Sequence, residues 1–400
     1  MPQSYPIDKI TIISRLRSKL IELRNQPEFS WMNNTMNYAA TIQGEPDVKL
    51  GIANCFLDFD LWKGLRNPAK VGLYPVSLEQ IWEFWAHYHK HKSDDSGRST
   101  IFQLPPTFES ARGKYKRVLI ISAMLPLNPE IFKAYNSSIL KGRCAPPDIF
   151  RKAMTEVEEL LSRSLTRLAF DLMQQNRAVV VMNRANVNKI SKEVVPITHQ
   201  DSSHGVCKNG NFPHKSIAAL VGLGQFGVSR LIFRDEIVNG KVQRFTGPIL
   251  SMFIFDMDDI VIDGTGGIVH LNEEWRERAM SLADFTVNDR SINKFRFCRY
   301  QPLEGENGCG LCIKYCPSGA LKNSSPQSDG QYSERVKDQA YRFMNGALQF
   351  DNVKCCDERG QMAELYDEWA CTKCFSICAG NGGKRYFAAE NFENFISGSI

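Results

Sequence analysis

Twelve cysteines lie in this chain of 400 residues, and nine of them fall between positions 298 and 378. One dense group reads CGLCIKYCPSGAL over 309–321, and a second reads CTKCFSICAG over 371–380. Each repeats the same spacing of three thiols: Cys309, Cys312 and Cys316, then Cys371, Cys374 and Cys378. Thiolates so closely spaced on a loop converge on one centre. In a reducing compartment such clusters mean metal or redox chemistry more often than disulfides. Cys55, Cys144 and Cys207 stand apart and are expected to be buried small apolar residues.

The ligand arithmetic is specific. Bacterial iron–sulfur motifs run C-x2-C-x2-C-x3-C-P, and the last cysteine serves the other of two clusters. Cys309, Cys312 and Cys316-Pro317 match the last three positions, but Glu306 holds the first. Cys298 is the expected substitute on a longer loop. Proline after the last cysteine suits the first turn of a helix, where no amide donor is needed. The second motif has Ala379 in place of proline, and its distant ligand is Cys355 or Cys356. By the crossing rule one [4Fe–4S] cluster takes Cys298, Cys309, Cys312 and Cys378. The other takes Cys371, Cys374, Cys316 and one of Cys355 or Cys356. Zinc knuckles also use paired C-x2-C, but they rarely add a third cysteine followed by proline. Two clusters in sequence form an electron path, and the preceding residues must hold what it reduces.

The elements before residue 294 read as mixed helix and strand. Apolar residues at helical spacing (Ile10, Ile13, Leu16, Leu20, Leu23) predict a helix over Ile7–Arg24. RVLIISAM (117–124), AVVVM (178–182), Leu231–Phe233 and Ile249–Phe255 read as strands, and Pro146–Gln175 as a long helix after a cap signal. Such alternation suggests a layered α/β (α+β) architecture. KNSSPQSDGQYS (322–333) is turn-rich and reads as a surface insertion between the cysteine motifs.

VGLGQFG carries Gly222, Gly224 and Gly227 in the pattern G-x-G-x-x-G. A dinucleotide site would need a strand before it, a helix after it and an acidic residue about 20 positions on. The residues after it read instead as a strand and an Asn239-Gly240 hairpin turn, and position 247 is glycine. The glycines still imply a backbone that something approaches closely.

KSIAALVGLGQFGVSRLIF (215–233), then a polar turn, then ILSMFIFD (249–256), then CGLCIKYCPSGAL, resembles the cobalamin-dependent reductases, which include epoxyqueuosine reductases and reductive dehalogenases. The resemblance covers roughly residues 117–380. It implies a nitroreductase-like layered domain that holds a base-off corrinoid, with a C-terminal ferredoxin-like domain whose two [4Fe–4S] clusters feed it electrons. The implied boundaries are a mostly helical N-terminal region over 1–116, a cobalamin-binding domain over 117–293 and the iron–sulfur domain over 294–400. Gly222, Leu223, Gly224, Gly227 and Arg230 would meet the cofactor. Lys208 and Asn209 stand where the epoxyqueuosine enzymes carry an aspartate within V-D-S-x-P, a pattern this chain lacks. The dehalogenases have a tyrosine where this chain reads TEVEEL (155–160).

A reductase of this kind needs a proton source. HQDSSHGVCKNGNFPHK (199–215) is dense in titratable groups, among them Asp201, His204, Lys208 and His214. Lys208 is the first candidate acid and His214 the second. Asn209 could orient a substrate but does not titrate. The implied partners are an external electron donor such as ferredoxin or flavodoxin, and a small-molecule or modified-nucleoside substrate. An electron-transfer protein or corrinoid-reducing activase without its own corrinoid is the alternative. Hydrophobic residues at 43%, charged residues at 23% and a net charge of +5 are ordinary for a globular chain and do not argue for nucleic acid. The apolar run PILSMFIF (248–255) is too short to span a bilayer, which takes about 20 residues. The N-terminus has neither a secretory pattern nor paired arginines, so a cytoplasmic location is expected.

Overall fold

The computed structural model describes residues 9–25, 27, 38–42, 44–59, 78–79, 81–82, 108–140, 148–174, 177–182, 214–226, 232–239, 241–256, 268–272, 316, 321–323, 340–343 and 348–351. Its centre is a sheet in the order β10-β3-β4-β9-β5, made of β3 (Lys49–Phe56), β4 (Arg117–Met124), β5 (Ala178–Met182), β9 (Ile249–Asp256) and β10 (Val269–His270). β4 lies antiparallel to β3 and β9, β5 pairs antiparallel with β9, and β10 runs parallel to β3. Sequence dictates this placement. β4 and β5 are almost wholly apolar, and residues of both parities are buried. A strand that is apolar on both faces must be covered on both. PILSMFIF is therefore the body of β9, which has a strand on each side.

One face carries Leu50, Ile52, Leu119, Ile121, Met252 and Ile254, under α1 (Lys9–Arg24) and α4 (Asp148–Met173). α1 turns Ile12, Leu16, Leu20 and Leu23 inward, each no more than 3% exposed. This is the stripe expected of a half-buried helix, and each such side chain contributes about 1.5–3 kcal/mol of burial. Lys19 to Asp171 (2.8 Å) and Arg167 to Glu22 (3.0 Å) join the outer edges of the two helices. α3 (Pro129–Leu140) packs Tyr135 on Phe150 of α4, with ring centroids 4.7 Å apart.

The other face carries Ala53, Val118, Ile120, Val180, Phe253 and Phe255. Trp82 stands edge-on to Phe255 at 4.9 Å, and α2 (Phe108–Lys114) and α5 (His214–Leu220) complete the cover. β3 and α1 both precede residue 117, yet they share the sheet and core of β4 and β9. The boundary expected at 116/117 thus runs through one sheet.

Three smaller ladders complete the described structure. β1 (Thr41–Ile42) and β2 (Glu45–Pro46) form a short hairpin. β6 (Gln225–Phe226), β7 (Ile232–Val238) and β8 (Lys241–Phe245) form a second sheet, and Val238 opposes Lys241 across the Asn239-Gly240 turn. Asn239 has φ 52°, as a two-residue turn of the I′ kind requires. β11 (Leu321–Asn323), β13 (Leu348–Asp351) and β12 (Ala340–Phe343) form a third sheet in that spatial order. Lys322 and Asn323, which open the stretch read as a turn-rich insertion, are strand residues. The rest of that insertion lies outside the described residues. Among the described residues no helix is long and apolar enough to cross a membrane.

Glycine at position 51 is a packing requirement. A Cβ built there would lie 2.4 Å from the Leu223 amide nitrogen and 2.7 Å from the Val221 carbonyl. Gly51→Val should therefore cost at least the about 1–3 kcal/mol typical of overpacking. Gly113 in α2 is the contrast, since nothing among the described residues lies within 4 Å of its missing Cβ. Gly113→Ala should stabilise by about 0.4–1 kcal/mol through the unfolded chain. Urea unfolding of the two variants beside the parent checks both signs.

Candidate functional site

The segment singled out by its glycines is the exit of α5. The Leu223 amide donates to the Ala218 carbonyl at 2.9 Å across Gly222, whose φ is +71°. That is a Schellman closure, and it places glycine in the left-handed position that disfavours a Cβ. The chain then enters β6 and β7. A helix stands before the glycines and a strand after them, the reverse of the dinucleotide-binding order; the strand was expected, the helix was not.

The three described residues among those expected to meet a cofactor, Gly222, Leu223 and Gly224, face different ways. Leu223 is fully buried and packs in the core. A Cβ on Gly224 would lie 2.5 Å from the Phe233 carbonyl, so this glycine makes room for β7. Gly222 is exposed, and among the described residues its missing side chain would meet Val269 Cγ2, at 3.4 Å. A ligand approaching this backbone would meet Gly222 first. A bulkier residue at 224 would disturb the fold itself and is no selective probe of a ligand. Gly227 and Arg230 lie outside the described residues, as do Lys208, Asn209, Asp201 and His204.

His214 opens α5, and its Nδ1 lies 3.2 Å from Ser251 Oγ in a hydrogen bond whose direction the tautomer sets. Part of the residue reaches the surface, yet burial of the ring pushes the imidazole down to about 3. It is neutral near pH 7, so in this setting His214 has no imidazolium proton to give. Beneath it the register aligns Gly51, Ser122 and Ser251 across three adjacent strands. Ser122 Oγ is buried and has no hydrogen-bond partner among the described residues.

Sequence reasoning missed a group of charges beside the loop. Lys49 Nζ, on a residue 6% exposed, meets Asp47 Oδ1 at 2.8 Å and also Glu236 Oε2, and it sits 4.2 Å from the centroid of the Phe245 ring. Arg234 Nε donates to Glu236 Oε1 at 2.5 Å, and its Nη1 donates to the Leu223 carbonyl at 3.3 Å. Burial pushes the Asp47 carboxyl up despite the Lys49 bond. Burial also pushes Glu236 up, but Lys49 and Arg234 together outweigh it and hold Glu236 below its ordinary value. The signal was one lysine opening an apolar strand, KLGIANCF.

Of the cysteines expected to be ligands only Cys316 is described, and it is half-buried. Cys298, Cys309, Cys312, Cys355, Cys356, Cys371, Cys374 and Cys378 lie outside the described residues. Among the described residues no group of three His, Cys, Asp or Glu could hold a metal. Cys55 is a core residue, and burial pushes its thiol well up. The strands between the two motifs carry information of their own. β11 pairs antiparallel with β13, with Leu321 opposite Phe350. The chain enters β11 from Cys316 five residues earlier, and it leaves β13 from the same end of the ladder toward Cys355, five residues past Phe350. Comparisons with family models, curated proteins and solved structures find no match to this chain.

The neutral His214 has a consequence for stability. Its pKa falls from an ordinary 6.5 to about 3 on folding, so the unfolded chain binds the extra proton. Its contribution is fully present above pH 6.5 and is lost as pH falls from there toward about 3. One such group changes stability by at most about 1.4 kcal/mol per pH unit. His214→Asn should therefore flatten the acid limb of a urea-midpoint profile between pH 7 and pH 4. A parallel profile would show that other groups set that limb.

Proposed function

We propose that the chain is a cobalamin-dependent reductase with two [4Fe–4S] clusters, taking electrons from an external ferredoxin or flavodoxin in a reducing, cytoplasmic setting. Its substrate class is a small or modified organic molecule, reduced by dehalogenation or by loss of an epoxide or hydroxyl oxygen. When bound, clusters of this type carry single electrons, and a corrinoid supplies a strongly reducing cobalt centre. The observation that carries the reading is the pair of matched cysteine motifs. The β11–β13 register supports it, because chain leading from Cys316 and chain leading to Cys355 meet one end of a ladder. The crossing rule asks for this when one cluster draws ligands from both motifs.

The residues would divide the work as follows. Cys298, Cys309, Cys312 and Cys378 would hold one cluster. Cys371, Cys374, Cys316 and one of Cys355 or Cys356 would hold the other. Gly222, the outward-facing glycine, would let the corrin lie against backbone. Lys208 is the remaining candidate for the acid once His214 is held neutral, and Asn209 would orient substrate.

A second reading is an iron–sulfur electron-transfer protein or activase that holds no corrinoid. Packing favours it, because contacts within the protein already account for Gly51, Gly222 and Gly224.

Anaerobic purification separates the readings. We expect about eight irons and eight acid-labile sulfides per chain. Cys298→Ser should lose or convert one cluster and spare the other, and only one of Cys355→Ser and Cys356→Ser should do the same. Corrinoid absorbance after reconstitution with cobalamin supports the reductase, and its absence leaves the electron-transfer reading. A colourless, zinc-containing protein would defeat both.

A further inference from the structure

β3 holds the glycine loop at two points. One is the bare backbone contact at Gly51, against Val221 and Leu223. The other begins two residues earlier, at Lys49, and passes through side chains. Lys49 bonds Glu236, Glu236 bonds Arg234, and Arg234 donates to the Leu223 carbonyl at 3.3 Å. Leu223 is thus fixed from both sides of its own peptide unit. Its amide is tied to Ala218 within the helix exit, and its carbonyl is tied to the hairpin strand β7.

We infer that Lys49, Glu236 and Arg234 form a positioning relay that sets the glycine loop, and with it the outward face of Gly222, from strand β3. As the support of a corrinoid face, the relay rests on the reading proposed above. As the support of the loop, it stands on the bonds alone. Arg234 and Glu236 are each 28% exposed, and such a pair by itself contributes little. What distinguishes this one is its root. Lys49 is 6% exposed and Asp47 is 2% exposed, so the lysine has no solvent to fall back on and must keep its carboxylates. That requirement fixes Glu236, which then has one oxygen left to orient the guanidinium of Arg234. A guanidinium offers donors on separate nitrogens in a rigid plane, so it can serve Glu236 and Leu223 together. The hairpin that carries Arg234 is itself braced, since Asp235 takes both Nε (2.8 Å) and Nη2 (2.7 Å) of Arg244 directly across the ladder.

The relay makes a claim that simple bracing does not. Its links act in series, so cutting it twice does no more to the loop than cutting it once. The test is hydrogen–deuterium exchange by mass spectrometry on the full chain without added cofactor, reading peptides over 221–226 against β4 and β9. Arg234→Met and Glu236→Gln should each speed exchange at 221–226 about tenfold, the equivalent of one charge-assisted hydrogen bond. β4 and β9 should be unchanged, and the double variant should be no faster than either single one. Unchanged loop exchange in Arg234→Met, acceleration spread evenly over the sheet, or effects that multiply in the double variant would each overturn the relay. Should Glu236→Gln fail to fold, Arg234→Met decides alone by the loop-against-sheet comparison. Titration with cobalamin forms the second arm. A parent that binds none defeats the corrinoid reading and leaves the exchange result standing. A parent that binds it, beside an Arg234→Met chain whose loop is faster yet binds equally well, shows that the relay does not serve that face.

Discussion

The backbone of Leu223 rests directly on the backbone of Gly51, and the order of this face of the protein follows from that contact. A loop can press so closely on a strand only where the strand has no side chain. The neighbouring strands extend the same condition, since Ser122 and Ser251 continue the row at the same register. Three small residues in line leave a shallow track across a sheet otherwise filled by large apolar side chains. α5 lies over that track, with Ile217 and Ala218 buried and His214 bonded to Ser251. Dispersion contacts reward this close approach. Desolvation of the His214 ring is the accompanying cost, and the imidazole meets it by staying neutral.

The hairpin beyond the loop is held in a different way. β7 and β8 lean on the main sheet through charges as well as apolar side chains. Lys49 sits among Asp47, Glu236 and the Phe245 ring. Two carboxylates compete for this lysine and end on opposite sides of their ordinary pKa. Asp47 is the more deeply buried, and its ion pair among the described residues is with Lys49, so desolvation wins. Glu236 has Lys49 and Arg234, so attraction wins. A buried charge set of this kind fixes direction and register more than it adds stability.

Much of the central sheet could be read from the chain. RVLIISAM and AVVVM are apolar on both parities apart from Arg117 and Ser122, and they became β4 and β5 over the expected residues. The stripe at Leu16, Leu20 and Leu23 likewise declared α1. β3 was harder to see. KLGIANCF carries a lysine, a glycine and an asparagine, each of which speaks against a central strand when taken alone. Two of them have a long-range reason: Glu236 for the lysine and Leu223 for the glycine lie more than a hundred residues away. Local pattern holds no trace of a partner at that distance. The glycine segment was read half correctly for the same reason. The Asn239-Gly240 turn beyond it is local chemistry and was expected, whereas the helix exit at Gly222 was not. The neighbour that makes Gly224 necessary, the Phe233 carbonyl, appears only once β7 has folded back.

The cysteine motifs invert this relation. The chemistry proposed for them rests on spacing alone, because ligand geometry is imposed on a short loop whatever surrounds it. If two motifs fifty-odd residues apart are to share ligands as proposed, something must bring their chain ends together, and a strand ladder can do so. An antiparallel pair returns the chain to the end it left. With Leu321 opposite Phe350, the segments that lead from Cys316 and toward Cys355 diverge from one end of a single sheet. β12 also opens at that end, with Ala340 opposite Asp351, and β12 and β13 come together at the other, with Phe343 opposite Leu348.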